Sequence, residues 1–153
     1  LSFKIDNSMK LNLKDNSFDT ALSVASVKHW PDKSAGLSEM YRVCKPGGRI
    51  CIMLYNRHSL LSARLWLLKG PLKLRPFRTF RDVIFNHMES HGTKAYTVKE
   101  LNRMFRDFTD VRITTVITPY DLLFVPKFLR HVLPSALGWF HVIQASKQQA
   151  STV

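Results

Sequence analysis

The sequence has little cysteine and no long apolar run. Only two cysteines, Cys44 and Cys51, occur among the 153 residues. Their placement favours two small buried thiols over a disulfide framework or a zinc site, so we expect no metal and a reducing, cytoplasmic environment. No apolar run approaches the ~20 residues that cross a bilayer. Lys4 and Asp6 also interrupt the first apolar segment, which a signal peptide would keep continuous.

Acidic residues are scarce as well. There are 11 Asp and Glu against 23 Lys and Arg, which gives a formal net charge of +12. Residues 57–81 contain no acid, but they carry the cations Arg57, Arg64, Lys69, Lys73, Arg75, Arg78 and Arg81. Such a stretch attracts phosphates or an anionic lipid surface, and the alternative is the solvated surface of a basic protein. The composition, 45% hydrophobic and 22% charged, is that of a globular domain.

The first half of the chain alternates strand and helix signals. Residues 1–5 alternate apolar and polar side chains, which predicts a short strand, and residues 18–24 predict a strand covered on both faces. Asp32 or Ser34 is expected to cap a helix, which the following Pro-Gly-Gly turn ends. The side chains of that helix predicted to face the core are Leu37, Met40, Tyr41 and Cys44. Residues 50–54 form a continuous apolar run and predict a central parallel strand.

The second half of the chain adds helices and two more strands. Helices are predicted at 59–69, within 77–88, at 97–108 and, in short form, at 126–132, and strands at 111–118 and 139–145. Thr97 and Glu100 have the spacing of a capping box. The order predicts an α/β fold, with a parallel sheet, crossover helices and an antiparallel edge made by the last two strands.

Four segments carry a resemblance to a known family. Residues 11–19, LNLKDNSFD, resemble the LPF-x-DNSFD segment of class I S-adenosylmethionine-dependent methyltransferases, in particular those related to the ubiquinone and menaquinone C-methyltransferases. Residues 42–48, RVCKPGG, resemble the RVLKPGG of that family, and residues 26–32, SVKHWPD, resemble its VLHH-x-PD loop. Residues 92–97 resemble the segment before its sixth strand. An unrelated α/β domain with a similar turn is the alternative.

The resemblance implies a Rossmann-like methyltransferase fold of which this chain contains strands three to seven. Residues 1–147 would form that partial domain, with a helical, basic acceptor-side insertion at 57–92 and a disordered tail at 148–153. The glycine-rich loop that holds the methionine end of the cofactor in this family is absent from the sequence. Because the chain also begins with Leu1 in a predicted strand, we expect it to be the later part of a longer protein.

The resemblance also assigns residues to a cofactor, S-adenosyl-L-methionine. Asn7 falls where the family hydrogen-bonds the adenine amino group, and Ser8 would offer its backbone N–H to the adenine ring. Ala25 and Ser26 would lie beside the methionine part. The alternatives are an ordinary Asx turn at Asn7 and plain loop packing at Ala25 and Ser26.

Five further residues are assigned to catalysis or to the acceptor. His29 matches the second His of the family loop and would accept a proton from the acceptor, unless it only orders the loop. Tyr55 and Asn56, which end a strand, together with His91 and Tyr96, would line the acceptor pocket. For each of these four residues the alternative is a packing or capping role.

These assignments predict methyl transfer to a small-molecule or lipid-like acceptor, by a longer protein of which this chain alone would be inactive. The apolar and basic segment 59–81 suits an amphiphilic or anionic acceptor, or peripheral contact with an anionic membrane. Nucleic acid is not expected, because the segment lacks an RNA-binding signature. The alternative is a non-catalytic methyltransferase-like module that binds a partner or an anionic membrane surface.

Overall fold

The fold is a mixed five-stranded sheet with helices packed against it. The structure, a computed structural model, describes residues 2–24, 26–73, 77–88, 92–123 and 125–149, with the backbone alone at residue 131. The strands are β1 (Phe18–Val24), β2 (Cys44–Asn56), β3 (Ala95–Tyr96), β4 (Thr109–Val116) and β5 (Phe140–Ser146). The α-helices are α1 (Lys33–Val43), α2 (Leu60–Lys69), α3 (Phe80–His87), α4 (Val98–Met104) and α5 (Pro119–Leu122). Short 3-10 helices occupy Val27–His29, Pro71–Lys73, Lys127–Val132 and Ser135–Leu137.

The strand order is β1-β2-β5-β4, and β3 pairs with the end of β2. β1 and β3 run parallel to β2, whereas β5 runs antiparallel to both β2 and β4. The predicted α/β class and the antiparallel edge are therefore confirmed. The predicted insertion at 57–92 contains α2, α3 and the Pro71–Lys73 turn, and its acceptor role stays a prediction.

The core divides into two clusters, one on each face of the sheet. Ile50, Ile52 and Leu54 of β2 point to one face, where Leu37 of α1 and Leu101 of α4 bury them. On the other face, Tyr55 packs with Ile84 and Met88 at the end of α3, with Ala95, Trp139 and the partly buried Leu61 and Leu65 of α2 around them. Because alternate residues of a strand point to opposite faces, this division follows from the pattern of β2.

The chain start and β1 differ from the sequence prediction. Residues 2–5 form no strand, and Phe3 is 91% exposed, because no strand lies beside them in the described part of the chain. Leu1 falls outside the described residues. The predicted burial of β1 on both faces is also wrong, since Leu22 is 67% and Val24 56% exposed. A run of small and apolar residues marks a strand, but it does not say which faces are covered.

The signals for helix starts hold where the sequence placed them, but the predicted end of the first helix does not. α1 ends at Val43, and Cys44 and the Pro-Gly-Gly segment belong to β2, where Gly47 and Gly48 exchange backbone hydrogen bonds with Lys147.

The Asp32 carboxylate accepts hydrogen bonds from the amides of Ser34 and Ala35 at 2.9 and 3.1 Å, so Asp32 is the cap of α1. The capping box of Thr97 and Glu100 is present at the start of α4. None of the helices in the described part of the chain is long and apolar enough to cross a membrane.

Arg42 fastens the segment before β1 to α1. Its guanidinium donates to the carbonyls of Leu11 and Leu13 at 2.9 and 2.8 Å, and it pairs with the carboxylates of Asp15 and Glu39. The hydrogen bond from Arg42 lowers the pKa of Glu39 to about 2. This cluster holds residues 11–15, and so positions the residues just before them at the edge of the sheet.

Candidate functional site

Predicted site residues meet at the carboxyl edge of the parallel strands. β1 ends at Val24, opposite Met53 of β2, and β2 continues to Tyr55 and Asn56, which pair with Ala95 and Tyr96 of β3. Ligands of open α/β sheets bind outside the carboxyl ends of the strands. The register therefore brings Tyr55, Asn56 and Tyr96 together where a ligand would lie.

An open groove of about 480 Å³ runs along β1. It brings together Ser8 and Ser26, two of the predicted cofactor residues, although 18 positions separate them in the sequence. The Ser26 hydroxyl lies 2.6 Å from that of Ser23 at the end of β1. The apolar residues along the groove include Leu11, Leu13, Ala21, Leu22 and Trp30. Ala25, the third predicted residue, lies outside the described residues.

Asn7 forms an Asx turn, which is the alternative to adenine binding that the sequence analysis left open. The side-chain oxygen of Asn7 accepts a hydrogen bond from the Met9 backbone amide at 3.0 Å. The backbone amide of Asn7 donates to the Asp6 carboxylate at 2.8 Å. The side chain is exposed beside Ser8. This is an Asx turn, which already uses one lone pair of the Asn7 oxygen and leaves the second open.

The loop between β1 and α1 connects the groove to β2. Val27–His29 forms a 3-10 turn, in which the His29 amide donates to the Ser26 carbonyl at 3.0 Å, and His29 is exposed. Lys28 is half-buried, and its ammonium donates to the Tyr55 hydroxyl at 2.7 Å. The sequence analysis did not single out Lys28. No local signal could have found this contact, because it spans 27 residues and depends on the β1–β2 register.

Tyr55 belongs to a buried aromatic cluster. It is 2% exposed, and its ring centroid lies 5.5 Å from that of Trp139 and 5.0 Å from that of Phe140. Tyr120 packs edge-on against Trp139 at 5.8 Å. Ring packing fixes the position of the Tyr55 hydroxyl, while Lys28 supplies a cationic donor to it. Tyr55 therefore presents a rigid polar tip at the end of β2.

Asn56 is held by the backbone of a neighbouring loop. It is 2% exposed, its amide group donates to the carbonyls of Ala136 and Gly138 at 2.9 and 2.8 Å, and its oxygen accepts from the His58 amide at 3.0 Å. These contacts favour the packing role that the sequence analysis left open over contact with an acceptor. Asn56 fastens the loop before β5 to the end of β2.

Tyr96 lines a second cavity, of about 400 Å³, with a cationic wall. Arg57, Arg81 and Lys94 contribute cations, against Asp82 and Glu100. Burial raises the pKa of Tyr96 to about 12, so its phenol stays protonated at neutral pH. His91, the other residue predicted on this side, lies outside the described residues.

Arg57 is the anchor of this cavity, and the sequence analysis did not assign it a site role. It donates to the Ala95 carbonyl at 3.0 Å and to the Glu100 carboxylate at 2.8 Å. Its Nε is buried and has no hydrogen-bond partner in the described part of the chain. Arg57 therefore keeps a hydrogen-bond donor available beside Tyr96. No group of side chains among the described residues could hold a metal ion.

His141 on β5 should make stability depend on pH. It is 2% exposed, its Nδ1 lies 2.9 Å from the Thr115 hydroxyl, and burial lowers its pKa from the ordinary value of 6.5. The unfolded chain then binds a proton below about pH 6.5 that the folded chain does not, so stability falls as the pH is lowered, by at most about 1.4 kcal/mol per pH unit.

We expect His141→Gln to flatten this dependence between about pH 6.5 and 5, where carboxylates contribute less. Denaturant unfolding at a series of pH values measures it. The matched control is His29→Gln at an exposed position, which should leave the slope unchanged. An unchanged slope in His141→Gln would contradict the assignment.

Comparison with known proteins finds a family whose model matches part of this chain. Residues 1–52 match the model of the methyltransferase domain family Methyltransf_11. The matched region contains the β1 groove and the Val27–His29 turn, and it ends before Tyr55, Arg57 and Tyr96. The family match therefore covers the proposed cofactor side and not the acceptor side.

Two curated relatives resemble the first part of the chain. One is the demethylmenaquinone methyltransferase of Lactiplantibacillus plantarum, 46% identical over 61 residues, which are 39% of this chain and 26% of the relative. The other is the 2-methyl-6-phytyl-1,4-hydroquinone methyltransferase of Synechocystis, 40% identical over 57 residues, or 37% of this chain and 18% of the relative. The chain spans about a quarter or less of the length of these relatives.

Solved structures extend the likeness to nearly the whole fold. A SAM-dependent methyltransferase of Thermotoga maritima, described as a possible histamine N-methyltransferase, superposes with a TM-score of 0.62 and 21% identity. The superposition covers 92% of this chain and 61% of the Thermotoga chain. The Rossmann-like methyltransferase fold expected from the sequence motifs is thereby confirmed.

Proposed function

We propose that this protein takes part in methyl transfer from S-adenosyl-L-methionine to a small-molecule or lipid-like acceptor. The match of residues 1–52 to a methyltransferase domain model and the methyltransferase fold support this proposal. One observation carries the proposal. The loop after β1 joins the groove that contains Ser8 and Ser26 to the polar tip of Tyr55 at the end of β2. A cofactor groove and an acceptor pocket must meet in this way if a methyl group is to pass between them.

The β1 groove fits the adenosine side of the cofactor. Its apolar lining suits a flat adenine ring, to which Ser8 would offer its backbone N–H, and Ser26 would lie beside the methionine part of the cofactor. Asn7 and Ala25 are proposed to contribute next to them. When bound, the cofactor supplies a methyl group already activated by its sulfonium.

Because the methyl group is already activated, the main task of the protein is to align the acceptor with it. Residues 26–30 and Tyr55 would hold the acceptor in line with the methyl group and exclude water. His29 is proposed to accept a proton where the acceptor needs to lose one. Its exposed position also suits the alternative role of ordering the loop.

The acceptor we favour is a small aromatic hydroxyl compound. The cations Arg57, Arg81 and Lys94 around the cavity beside Tyr96 would stabilise an ionised hydroxyl, and the protonated Tyr96 phenol would donate to it. The name of the Synechocystis relative contains a hydroquinone, which is an aromatic hydroxyl compound. Tyr55 and Asn56 do not line this cavity but pair with Ala95 and Tyr96 of β3, and so would support its wall from β2.

The alternative is a non-catalytic methyltransferase-like module, and the absence of one sequence motif favours it. The sequence contains no glycine-rich loop of the kind that binds the methionine end of the cofactor. The 153-residue chain by itself is therefore expected to transfer no methyl group from labelled S-adenosylmethionine. Methyl transfer at an ordinary enzymatic rate by this chain alone would show that the missing loop is not needed.

Calorimetry with S-adenosylhomocysteine on the intact gene product tests the cofactor site. We expect binding, and we expect Ser26→Phe, which fills the groove, to weaken it by about tenfold or more through steric exclusion. Ser38→Phe on the exposed side of α1 is the matched control and should bind normally. Absence of binding by the folded, unmodified protein, with folding checked by circular dichroism, would favour the non-catalytic module.

A further inference from the structure

A second apolar groove lies between α2 and residues 125–133, away from the residues assigned to methyl transfer. Its volume is about 500 Å³. Its apolar walls include Leu60, Ala63, Leu67, Val125, Leu129 and Val132. The proposed methyl-transfer site uses none of these residues, so the groove needs a separate explanation.

The rim of this groove exposes large apolar side chains. Leu67 is 48%, Leu129 41% and Val132 70% exposed, and the adjacent Phe128 is 76% exposed. Leu72, just after α2, is 65% exposed. Single exposed apolar side chains are normal, whereas a contiguous set of them marks an interaction surface.

α2 is more apolar than its packing requires. Leu61 and Leu65 pack against the core, and Trp66 stacks on Phe80 of α3 with ring centroids 5.1 Å apart. These contacts account for the inward side of the helix. Leu67, on the groove side, serves no core contact of this kind, which fits a helix that faces a second apolar partner.

Both walls of the groove are free of acidic residues. Residues 57–81 and residues 122–153 contain no Asp or Glu. Arg64 lines the groove, and Lys127 belongs to its second wall. The exposed apolar surface at β1 differs, because Asp15 and Asp19 lie next to Phe18 there. Apolar side chains and uniform positive charge occur together at the α2 groove.

We propose that the surface formed by α2 and residues 125–133 docks on an anionic phospholipid bilayer. The apolar rim would enter the boundary between headgroups and acyl chains, and the cations would contact the lipid phosphates. A nucleic acid would use the cations but not the apolar rim, and a neutral apolar partner would use only the rim. The combination of the two is what an anionic membrane surface requires.

Vesicle co-sedimentation of the intact protein tests this docking. We expect binding to vesicles rich in phosphatidylglycerol and negligible binding to pure phosphatidylcholine. The double variant Arg64→Glu/Lys127→Glu should weaken binding by about tenfold or more, since both cations leave the anionic surface. Phe128→Ser/Leu129→Ser should also weaken it by about tenfold, at constant net charge.

Matched controls separate docking from general attraction between a basic protein and an acidic surface. Lys99→Glu/Arg103→Glu on α4, which lines no part of the groove, makes the same change in net charge and should weaken binding much less. Val98→Ser is the apolar control. All the substituted side chains are exposed, and thermal unfolding confirms that each variant folds.

Four results would overturn the proposal. Equal or absent binding to the two kinds of vesicle would exclude an anionic membrane. An equal loss in both charge variants would show non-specific attraction. Full binding by Phe128→Ser/Leu129→Ser would show adsorption without the groove. A competing RNA that displaces the vesicles through the same cations, with no effect of the apolar variants, would assign the surface to nucleic acid instead.

Discussion

Replacing Asn56 by Asp is expected to lower the free energy of unfolding by about 3 kcal/mol or more. The amide nitrogen of Asn56 donates to two carbonyl oxygens, those of Ala136 and Gly138. A carboxylate would place an anion against both oxygens at a position that is 2% exposed. The lost donors and the uncompensated charge act in the same direction.

Chemical denaturation measures the effect, and Asn102→Asp on the exposed face of α4 is the control for the change of charge. Its stability should stay within about 0.5 kcal/mol of the unmodified protein. If Asn56 instead contacts the acceptor and has no structural role, the Asn56→Asp variant would unfold at the same denaturant concentration as the unmodified protein. That result would restore the acceptor role predicted from the sequence.

The second large effect is expected for Gly138→Ala, at about 3 kcal/mol of lost stability. A Cβ at this position would lie 2.1 Å from the carbonyl oxygen of Val116 and 2.7 Å from the nitrogen of Ile117. Both are backbone atoms at the end of β4, so no side-chain rotation can relieve the contact. The backbone φ of Gly138 is −63°, which alanine adopts readily, so space alone forbids the substitution.

Gly92 provides the opposite case as a control. A Cβ there meets nothing within 4 Å, but the φ of Gly92 is +89°. Gly92→Ala should therefore cost only about 1 kcal/mol, through backbone strain. Thermal and denaturant unfolding of the two variants compare the effects. A Gly138→Ala protein as stable as Gly92→Ala would contradict the close approach between this loop and β4.

Asn56 and Gly138 act on one structural unit. The Asn56 amide holds the loop that contains Gly138, and the same loop positions Trp139 against Tyr55. We expect the two substitutions to be non-additive in a double-mutant cycle, because either one releases the loop from the end of β2. The loop thus supports the aromatic cluster beside the proposed acceptor site.

The sequence by itself determined the elements whose signals are local. The Thr97–Glu100 box acts over three residues, so its spacing sufficed to place the start of α4. For α1 the sequence narrowed the cap to Asp32 or Ser34, and the structure decided for Asp32. The continuous apolar run of residues 50–54 sufficed to identify the central strand. Motifs in residues 11–48 also indicated the family whose model matches residues 1–52, because their order and spacing are visible without a structure.

Only the tertiary structure decided which residues meet. Ser8 and Ser26 share a groove, and Lys28 reaches Tyr55, because the β1–β2 register brings distant positions to one edge. Asn56 proved to hold a loop 80 residues later in the chain. A cap depends on neighbours within one helical turn, whereas these contacts depend on how non-adjacent segments pack, and the spacing of residues in a sequence does not record that packing.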